Sequence, residues 1–346
     1  MSRIVYLLGA GASYGKRLDP DEMTADDVSE IEEGLPVVNE ICDEIDYVIG
    51  WLCNADIAVA ESNYTYMGKN CSADELRQEL INGFEWLAVE TSRHATIDTF
   101  AKKIYLKKDT NNYGRLKYLL STFFIVEQYL HPYDKRYDAF FANILNTDVG
   151  IPKDIFVLTW NYDVQLDIAF RDYNEFGLSM FNPQEGNNRP KSARVFKING
   201  SANYHGDNQL DSRVYLKKSD SDLMALILKH LSLTTKNGYY STGTTDLLFA
   251  WEKEEFDKIS DTLYENIHDA EVLVIIGYTF PFFNKDIDRE IFSKMSKLQK
   301  IYIQDPNAGK VKVSLKSVLP EERYNSLLSD ENLILDTTNL FLPPEL

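Results

Sequence analysis

Residues 3–15 read R-I-V-Y-L-L-G-A-G-A-S-Y-G. The apolar first part is rich in β-branched and aromatic residues, which predicts a buried strand over residues 4–8. Small residues follow at 9–13, so the backbone can turn tightly there. If a helix begins in this turn, its free N–H groups form a site for a phosphate or pyrophosphate group. The alternative is an ordinary glycine-rich turn that binds nothing.

The spacing of the glycines argues against two nucleotide-binding motifs. Gly9, Gly11 and Gly15 do not fit G-x-G-x-x-G, because the third glycine would fall at Tyr14. No G-K-[ST] is present, which excludes a Walker loop. No acidic residue ends a second strand about 20 residues after the turn, so a nicotinamide-dependent dehydrogenase is a weak interpretation.

The composition predicts a globular protein. The chain has 346 residues, of which 44% are hydrophobic, and this is enough for a sizeable core. Its 36 basic and 54 acidic residues give a net charge of −18, which disfavours non-specific binding of nucleic acid. No apolar stretch approaches the roughly 20 residues that span a bilayer, and the apolar run at the N-terminus is too short for a signal peptide. We therefore expect a cytoplasmic protein with no direct nucleic-acid or membrane partner.

The cysteines argue against a disulfide framework and a zinc module. Cys42, Cys53 and Cys71 are odd in number and form no C-x-x-C pair. We expect them to be buried free thiols in a reducing compartment, and we expect no metal site.

Helical and strand patterns divide the chain. Apolar spacing predicts helices over 37–52, 76–89, 97–106 and 116–129, with Thr96 as a possible N-cap. Short β-rich segments follow at 154–159, 194–198, 272–278 and 300–304. Strands separated by helices predict an α/β fold with a Rossmann-like, doubly wound parallel sheet. We expect a single domain over 1–346, whose core is 1–36 plus 151–346 and whose large helical insertion is about 37–150.

Polar or small residues follow each of the five predicted strands. The endings are G-A-G-A-S at 9–13, T-W-N-Y-D at 159–163, N-G-S at 199–201, G-Y-T-F at 277–280 and Q-D-P-N at 304–307. Ligands of open parallel sheets bind beyond the carboxyl ends of the strands, so these endings predict one site. For T-W-N-Y-D the alternative is a helix start capped by Asn161 or Asp163, and both interpretations can hold together.

The order and spacing of these motifs resemble the SIR2-like family, the bacterial relatives of sirtuins that bind NAD. The resemblance covers residues 1–16 and 151–310, and I-D-T-F at 97–100 also resembles the helical part of this family. Several members act as NAD hydrolases in anti-phage defence. The resemblance therefore implies that NAD is the substrate and that its nicotinamide–ribose bond is hydrolysed.

The resemblance also implies roles for individual residues. It assigns Asn161 to the nicotinamide ribose and the attacking water, and Asp163 to the turn or a ribose hydroxyl. Asp286 belongs to the implied set, although it could equally be a surface residue. The expected NAD-binding residues are Gly9, Ala10, Gly11, Ala12 and Ser13 at the pyrophosphate, Gly277, Thr279 and Asp305 toward the adenosine, and in addition Tyr278 and Asp286.

One position departs from the family pattern. The family has K-[LI]-H-G-S, with His as the catalytic base, whereas this chain has Lys197-Ile198-Asn199-Gly200-Ser201. An amide cannot accept a proton near neutral pH, so Asn199 would contact the ribose without acting as a base. His205 could enter the same pocket, but an exposed loop histidine is the favoured interpretation. The missing base and the missing four-cysteine module both argue against deacylation.

Two hypotheses follow from the resemblance. The first is an NAD hydrolase that depletes NAD in infected cells, held inactive by the acidic segment 17–33, by the helical insertion or by a partner. The second is a non-catalytic sensor of NAD or ADP-ribose, which Asn199 favours. The resemblance further implies a homo-oligomer and a separately encoded partner of the ATPase or Argonaute-like kind.

Overall fold

The computed structural model describes residues 2–15, 34–37, 40–57, 64–174, 180–181, 193–205 and 218–346. The acidic segment 17–33, which the sequence predicts to be a loop, lies outside these residues. The described strands are β1 (Ile4–Leu8), β2 (Tyr64–Tyr66), β3 (Lys69–Cys71), β4 (Ile155–Thr159), β5 (Met180–Phe181), β6 (Val195–Lys197), β7 (Gly200–Tyr204), β8 (Thr245–Leu247), β9 (Val272–Ile276), β10 (Lys300–Gln304) and β11 (Leu333–Ile334).

The described helices are α1 (Ile41–Asn54), α2 (Ala73–Ser92), α3 (Ile97–Leu106), α4 (Thr110–Leu130), α5 (Lys135–Ile144), α6 (Gln165–Arg171), α7 (Asp220–Thr235), α8 (Lys253–Ile267), α9 (Lys285–Lys294), α10 (Ala308–Leu315) and α11 (Glu321–Leu327). Short 3₁₀ turns occur at Ala10–Ala12, Phe282–Asn284 and Asp330–Asn332. None of the helices within the described ranges combines the length and apolar character needed to cross a membrane.

A parallel sheet forms the Rossmann-like core. Within the described residues it has seven strands in the order β11-β10-β9-β1-β4-β6-β5, and every pairing in it is parallel. All five predicted strands belong to it. Two small antiparallel pairs, β2–β3 and β7–β8, lie outside this sheet.

Both faces of the sheet pack against helices. In β1, Val5 and Leu7 join an apolar cluster with α8, α9, α10 and α11. Ile4, Tyr6 and Leu8 join a second cluster with α5 and α6 on the opposite face. Because successive strand side chains point to opposite faces, a strand buried on both faces is apolar at every position. This burial explains the unbroken apolar run I-V-Y-L-L.

A third apolar cluster defines a helical unit, which consists of α1–α4, α7 and the β7–β8 pair. This unit does not coincide with the predicted insertion at about 37–150. Helix α5 packs on the sheet instead, whereas α7 and β7–β8, which come after residue 199, join the helical unit. The difference arises because side-chain packing, and not chain order, decides which elements share a core.

The three cysteines are free, as predicted, but none of them is fully buried. Cys53 is exposed, and Cys42 and Cys71 are half-buried. In α1 the buried positions are Ile41, Ile45, Val48 and Leu52. Cys42 and Cys53 each come one residue after a buried position, and a step of one residue turns the side chain away from the buried stripe.

The chain reverses its strand order between β1 and β9. From β1, the sheet extends through β4 and β6 on one side and through β9, β10 and β11 on the other. A crevice forms at such a reversal beyond the carboxyl ends of the strands. The residues that follow β1 and β9, namely 9–13 and 277–280, therefore meet at this edge.

Candidate functional site

A cleft of about 550 Å³ lies between the carboxyl edge of the sheet and the helical unit. It brings together residues from all five predicted strand endings. The predicted site residues that line it are Gly9, Ala10, Gly11, Ser13, Asn161, Asp163, Asn199, Gly277, Tyr278, Thr279 and Asp305. Residues 96–99 at the start of α3 and residues 249–251 close the cleft from the other side.

The turns after β1 and β9 are packed backbone to backbone. Gly277 has φ +58°, and a Cβ there would lie 2.4 Å from the carbonyl carbon of Gly11. A Cβ on Gly9 would lie 2.5 Å from the Gly277 oxygen. The Gly11 N–H donates to that same oxygen at 3.0 Å. The glycines therefore serve this close approach of two turns.

Within residues 9–15 the turn after β1 does not begin an α-helix, which the sequence analysis considers for this turn. Residues Ala10–Ala12 form a single 3₁₀ turn. The N–H groups of Gly9, Gly11, Ala12 and Ser13 donate to carbonyls within the chain. These four groups are thus not available to a phosphate in this conformation, which differs from the expectation of free N–H groups.

Asn161 is buried and held at both ends. Its backbone N–H donates to Thr159 Oγ1 at 3.0 Å, and its side-chain Nδ2 donates to Ser13 Oγ at 3.0 Å. Ser13 Oγ also lies 2.9 Å from the Tyr137 hydroxyl of α5. This arrangement fixes the Asn161 amide at the cleft wall. Ser13 thus has a visible role in positioning Asn161.

Asp163 stabilises the start of α6. Its Oδ1 accepts the Gln165 N–H at 3.0 Å, while Gln165 Nε2 donates to the Ser13 carbonyl at 2.8 Å. The Lys197 ammonium donates to the Asp163 carbonyl oxygen. Asp163 therefore holds the turn, whereas the Asn161 side chain does not cap the helix.

Asn199 lies at the end of β6 with one acceptor unpaired. Its Nδ2 donates to the Trp160 carbonyl at 3.3 Å, and its Oδ1 is buried with no hydrogen-bond partner within the described residues. A buried acceptor without a partner costs free energy on the order of 1–3 kcal/mol. A ligand hydroxyl or a water molecule that donates to this oxygen would remove the cost.

A buried polar network lies beneath the cleft floor. Asp288 of α9 accepts from the Trp160 indole at 3.1 Å and from the Tyr278 hydroxyl at 2.8 Å. Burial raises the pKa of Asp288 to about 8, although both hydrogen bonds lower it. Asn284 donates to the Tyr278 hydroxyl at 3.1 Å. The network holds Trp160 and Tyr278, whose rings are stacked with centroids 6.1 Å apart.

Asp98 lines the cleft, although no pattern in the sequence gives it a role there. It lies in the first turn of α3, where the Thr99 N–H donates to the N-cap Thr96 Oγ1 at 3.1 Å, as predicted. Asp98 Oδ1 is buried and has no hydrogen-bond partner within the described residues. Burial raises the pKa of this carboxyl to about 6. The sequence signal was the I-D-T-F motif, but only the fold brings it to the strand ends.

Aromatic side chains form one wall of the cleft. Phe249 and Trp251 are stacked with ring centroids 4.8 Å apart. Tyr162 packs edge-on against Phe249 at 6.2 Å, and Phe283 packs against Trp251 at 5.3 Å. Phe282, at the rim, is 78% exposed. Such a wall offers flat apolar surface on which a planar heterocycle can stack.

Three predicted residues do not line the cleft. Ala12 is fully buried in the core. His205 lies outside the cleft, where its Nδ1 is 2.8 Å from Asp246 Oδ1, and this contact raises the pKa of the imidazole. The Asp286 carboxyl is exposed on α9 and pairs with Arg289 at 3.1 Å. Asp286 is therefore a surface residue, which is the alternative given for it in the sequence analysis.

The charged side chains that line the cleft are acidic. They are Asp98, Asp163 and Asp305, and among the described residues that line the cleft there is no Lys or Arg. Asp305 Oδ1 accepts the Asn307 N–H at 2.7 Å. Within the part of the chain that the structure covers, no three His, Cys, Asp or Glu side chains are grouped to hold a metal ion.

No protein-family model matches the chain, and no curated protein matches it.

Proposed function

We propose that this protein is an NAD hydrolase of the SIR2-like type, which cleaves the bond between nicotinamide and ribose. The observation that carries the proposal is the cleft at the strand-order reversal, which is lined by residues from all five strand endings. The family resemblance of these endings supports NAD as the ligand. We also propose that the core is doubly wound and that it carries a large helical insertion.

The chemistry of the bond suits the groups present. As the bond breaks, positive charge develops on the ribose, and nicotinamide leaves as a neutral molecule. Fixed dipoles aimed at that charge lower the barrier in a site that excludes water. Asn161, held by Ser13 and Thr159, would orient the attacking water. The unpaired Oδ1 of Asn199 would accept from a ribose hydroxyl.

A non-catalytic sensor of NAD or ADP-ribose is the second candidate. Its support is Asn199 itself, because an amide cannot take the proton that the family histidine takes. Such a protein would use the same cleft and the same Asn199 contact, but it would release no nicotinamide.

The biological role proposed is defence against phage through depletion of NAD. A homo-oligomer and a separately encoded partner, of the ATPase or Argonaute-like kind, belong to this proposal. Control by a partner is consistent with the chemistry, since unregulated hydrolysis of NAD would harm the cell that makes the protein.

Nicotinamide release tests the proposal. Purified protein is incubated with NAD, alone and with the products of neighbouring genes, and nicotinamide is measured by chromatography. We expect release by the wild type and a loss of at least about 100-fold in Asn161→Ala, because the water is no longer held. Asp148→Asn, an exposed substitution after α5, serves as the control. Saturable NAD binding without release would favour the sensor, and full activity in Asn161→Ala would remove the assigned role of Asn161.

A further inference from the structure

Proton transfer is unassigned in the proposed reaction. Hydrolysis of NAD by water yields ADP-ribose, nicotinamide and one proton, so a group in the cleft must receive a proton from the attacking water. Asn161 and Asn199 cannot do so near neutral pH. The histidine that would do so in the family is absent at position 199, and His205 points to Asp246 outside the cleft.

The other carboxyl groups of the site each accept at least one hydrogen bond. Asp163 and Asp305 each accept a backbone N–H in their own turns, at 3.0 Å and 2.7 Å. Both oxygens of Asp288 accept hydrogen bonds beneath the floor. Asp98 differs from these three, because its buried Oδ1 has no hydrogen-bond partner within the described residues and Asp98 lines the cleft.

The surroundings of Asp98 connect it to the strand endings. Asp98 is close enough to Tyr162 for its charge to raise the pKa of that hydroxyl, and Tyr162 directly follows Asn161. Tyr162 packs against Phe249. The N–H of Leu248, the residue before Phe249, donates to the Asn199 carbonyl at 2.8 Å. Asp98 thus lines the same cleft as Asn161 and Asn199 and lies near Tyr162.

Within the part of the chain that the structure describes, no cationic side chain shifts the pKa of the Asp98 carboxyl, for which burial is the cause. Tyr162 faces it from the turn after β4, and burial keeps the pKa of that hydroxyl well above its usual range. Tyr113 of α4 and Glu252 also raise the pKa of Tyr162. Glu252 is paired with Lys117 at 3.1 Å. Lys102, one turn further along α3, lies over the Trp251 ring, 4.9 Å from its centroid. Burial alone raises the pKa of Asp98 to about 6, which is well placed for accepting a proton near neutral pH.

We propose that Asp98 is the general base of the NAD hydrolysis proposed above, and this inference rests on that function. The water oxygen forms a bond to the anomeric carbon of the nicotinamide ribose. The carbon–nitrogen bond breaks, and nicotinamide leaves with its electron pair as a neutral molecule. One water proton passes to the Asp98 carboxylate, which then releases it to solvent.

Asp98→Asn is the informative variant, since it keeps the shape and removes the proton acceptor. We expect kcat to fall about 100-fold or more, while the Kd for NAD changes by less than about threefold. The wild-type kcat should decline as the pH falls through about 6, whereas the residual rate of Asp98→Asn should not follow this titration. Asp148→Asn should behave as the wild type, and thermal unfolding checks that each variant is folded.

The outcomes separate the two proposals. If the wild type releases nicotinamide and Asp98→Asn retains its rate and pH profile, Asp98 is not the base and the hydrolase proposal stands. If the wild type binds NAD but releases no nicotinamide, with or without neighbouring gene products, the hydrolase proposal fails and the role of Asp98 fails with it. A parallel rise in Kd and fall in rate, with an unchanged pH profile, would make Asp98 a binding residue and overturn its assignment as base.

Discussion

Two carboxyl groups, Asp98 in the cleft and Asp288 beneath its floor, are shielded from water in different surroundings. Asp288 accepts hydrogen bonds from an indole and a phenol, which compensate in part for its burial. Asp98 Oδ1 has no such partner within the described residues. Since burial disfavours the charged form, Asp98 opposes folding whenever it is ionised. A group that weakens the fold and faces a cleft is typical of a functional position.

Because burial of the ionised Asp98 carboxyl destabilises the fold, the free energy gained by replacing Asp98 should depend on pH. Its pKa rises from 3.8 to about 6 on folding, so the folded protein binds this proton more tightly and loses stability as the pH increases between these values. Asp98→Asn should therefore raise the free energy of unfolding by about 3 kcal/mol near pH 8 and by roughly half as much near pH 5. Urea denaturation at both pH values measures the difference. An equal gain at the two values would show that ionisation is not the cause.

At the scale of the element, the close contact between the turns after β1 and β9 sets the shape of the cleft floor. Gly277→Ala places a methyl group 2.4 Å from the Gly11 backbone at a residue with positive φ. We expect this substitution to cost at least about 2 kcal/mol of stability and to weaken NAD binding at least about tenfold, because the two turns must separate.

Gly309→Ala is the matched control for this prediction. Gly309 lies in α10, and a Cβ there would meet nothing within 4 Å. We expect it to leave NAD binding unchanged and to stabilise the protein by about 0.5–1 kcal/mol, because alanine is the better helix former. Chemical denaturation and calorimetric titration with NAD measure both variants. Wild-type affinity in Gly277→Ala would show that the turn contact does not shape the site.

The elements of the core were predictable because their patterns are local. The strands at 4–8 and 300–304 were predicted with the bounds of β1 and β10, and the three others differ from prediction by at most two residues at an end. Thr96 as N-cap of α3 was likewise a local signal and is confirmed. The site was predictable only on the sheet side, where strand ends identify it. Asp98 and Phe249 could not be placed there, because tertiary packing of the helical unit brings them to the cleft.

At the scale of the whole molecule, the cleft has two walls of separate origin. The sheet edge supplies the turns after the strands, and the start of α3 with residues 249–251 supplies the opposite wall. A ligand that fills the cleft must therefore contact both walls. Binding should stabilise their contact, since a ligand that binds only the folded cleft shifts the equilibrium toward it.

Hydrogen exchange tests this two-walled arrangement. With carba-NAD, in which the bond to nicotinamide cannot be hydrolysed, amide protection should increase in peptides that cover residues 9–13 and in those that cover residues 96–100. Both increases are expected because the ligand would suppress local opening on each side. Protection confined to residues 9–13 would mean that the helical unit does not take part in binding.

The central place of β1 in the sheet has a consequence for how the chain folds. Ile4 pairs with Ile155 on one side and with Val272 on the other. During synthesis β1 leaves the ribosome before β4 and β9 have been made. Until then the backbone groups on both edges of β1 form hydrogen bonds with water. Contacts so distant in sequence fold slowly and expose apolar segments in the meantime. The pairing of β1 can thus be complete only after β9 has been synthesised, and the cleft needs both strands because residues that follow each of them line it.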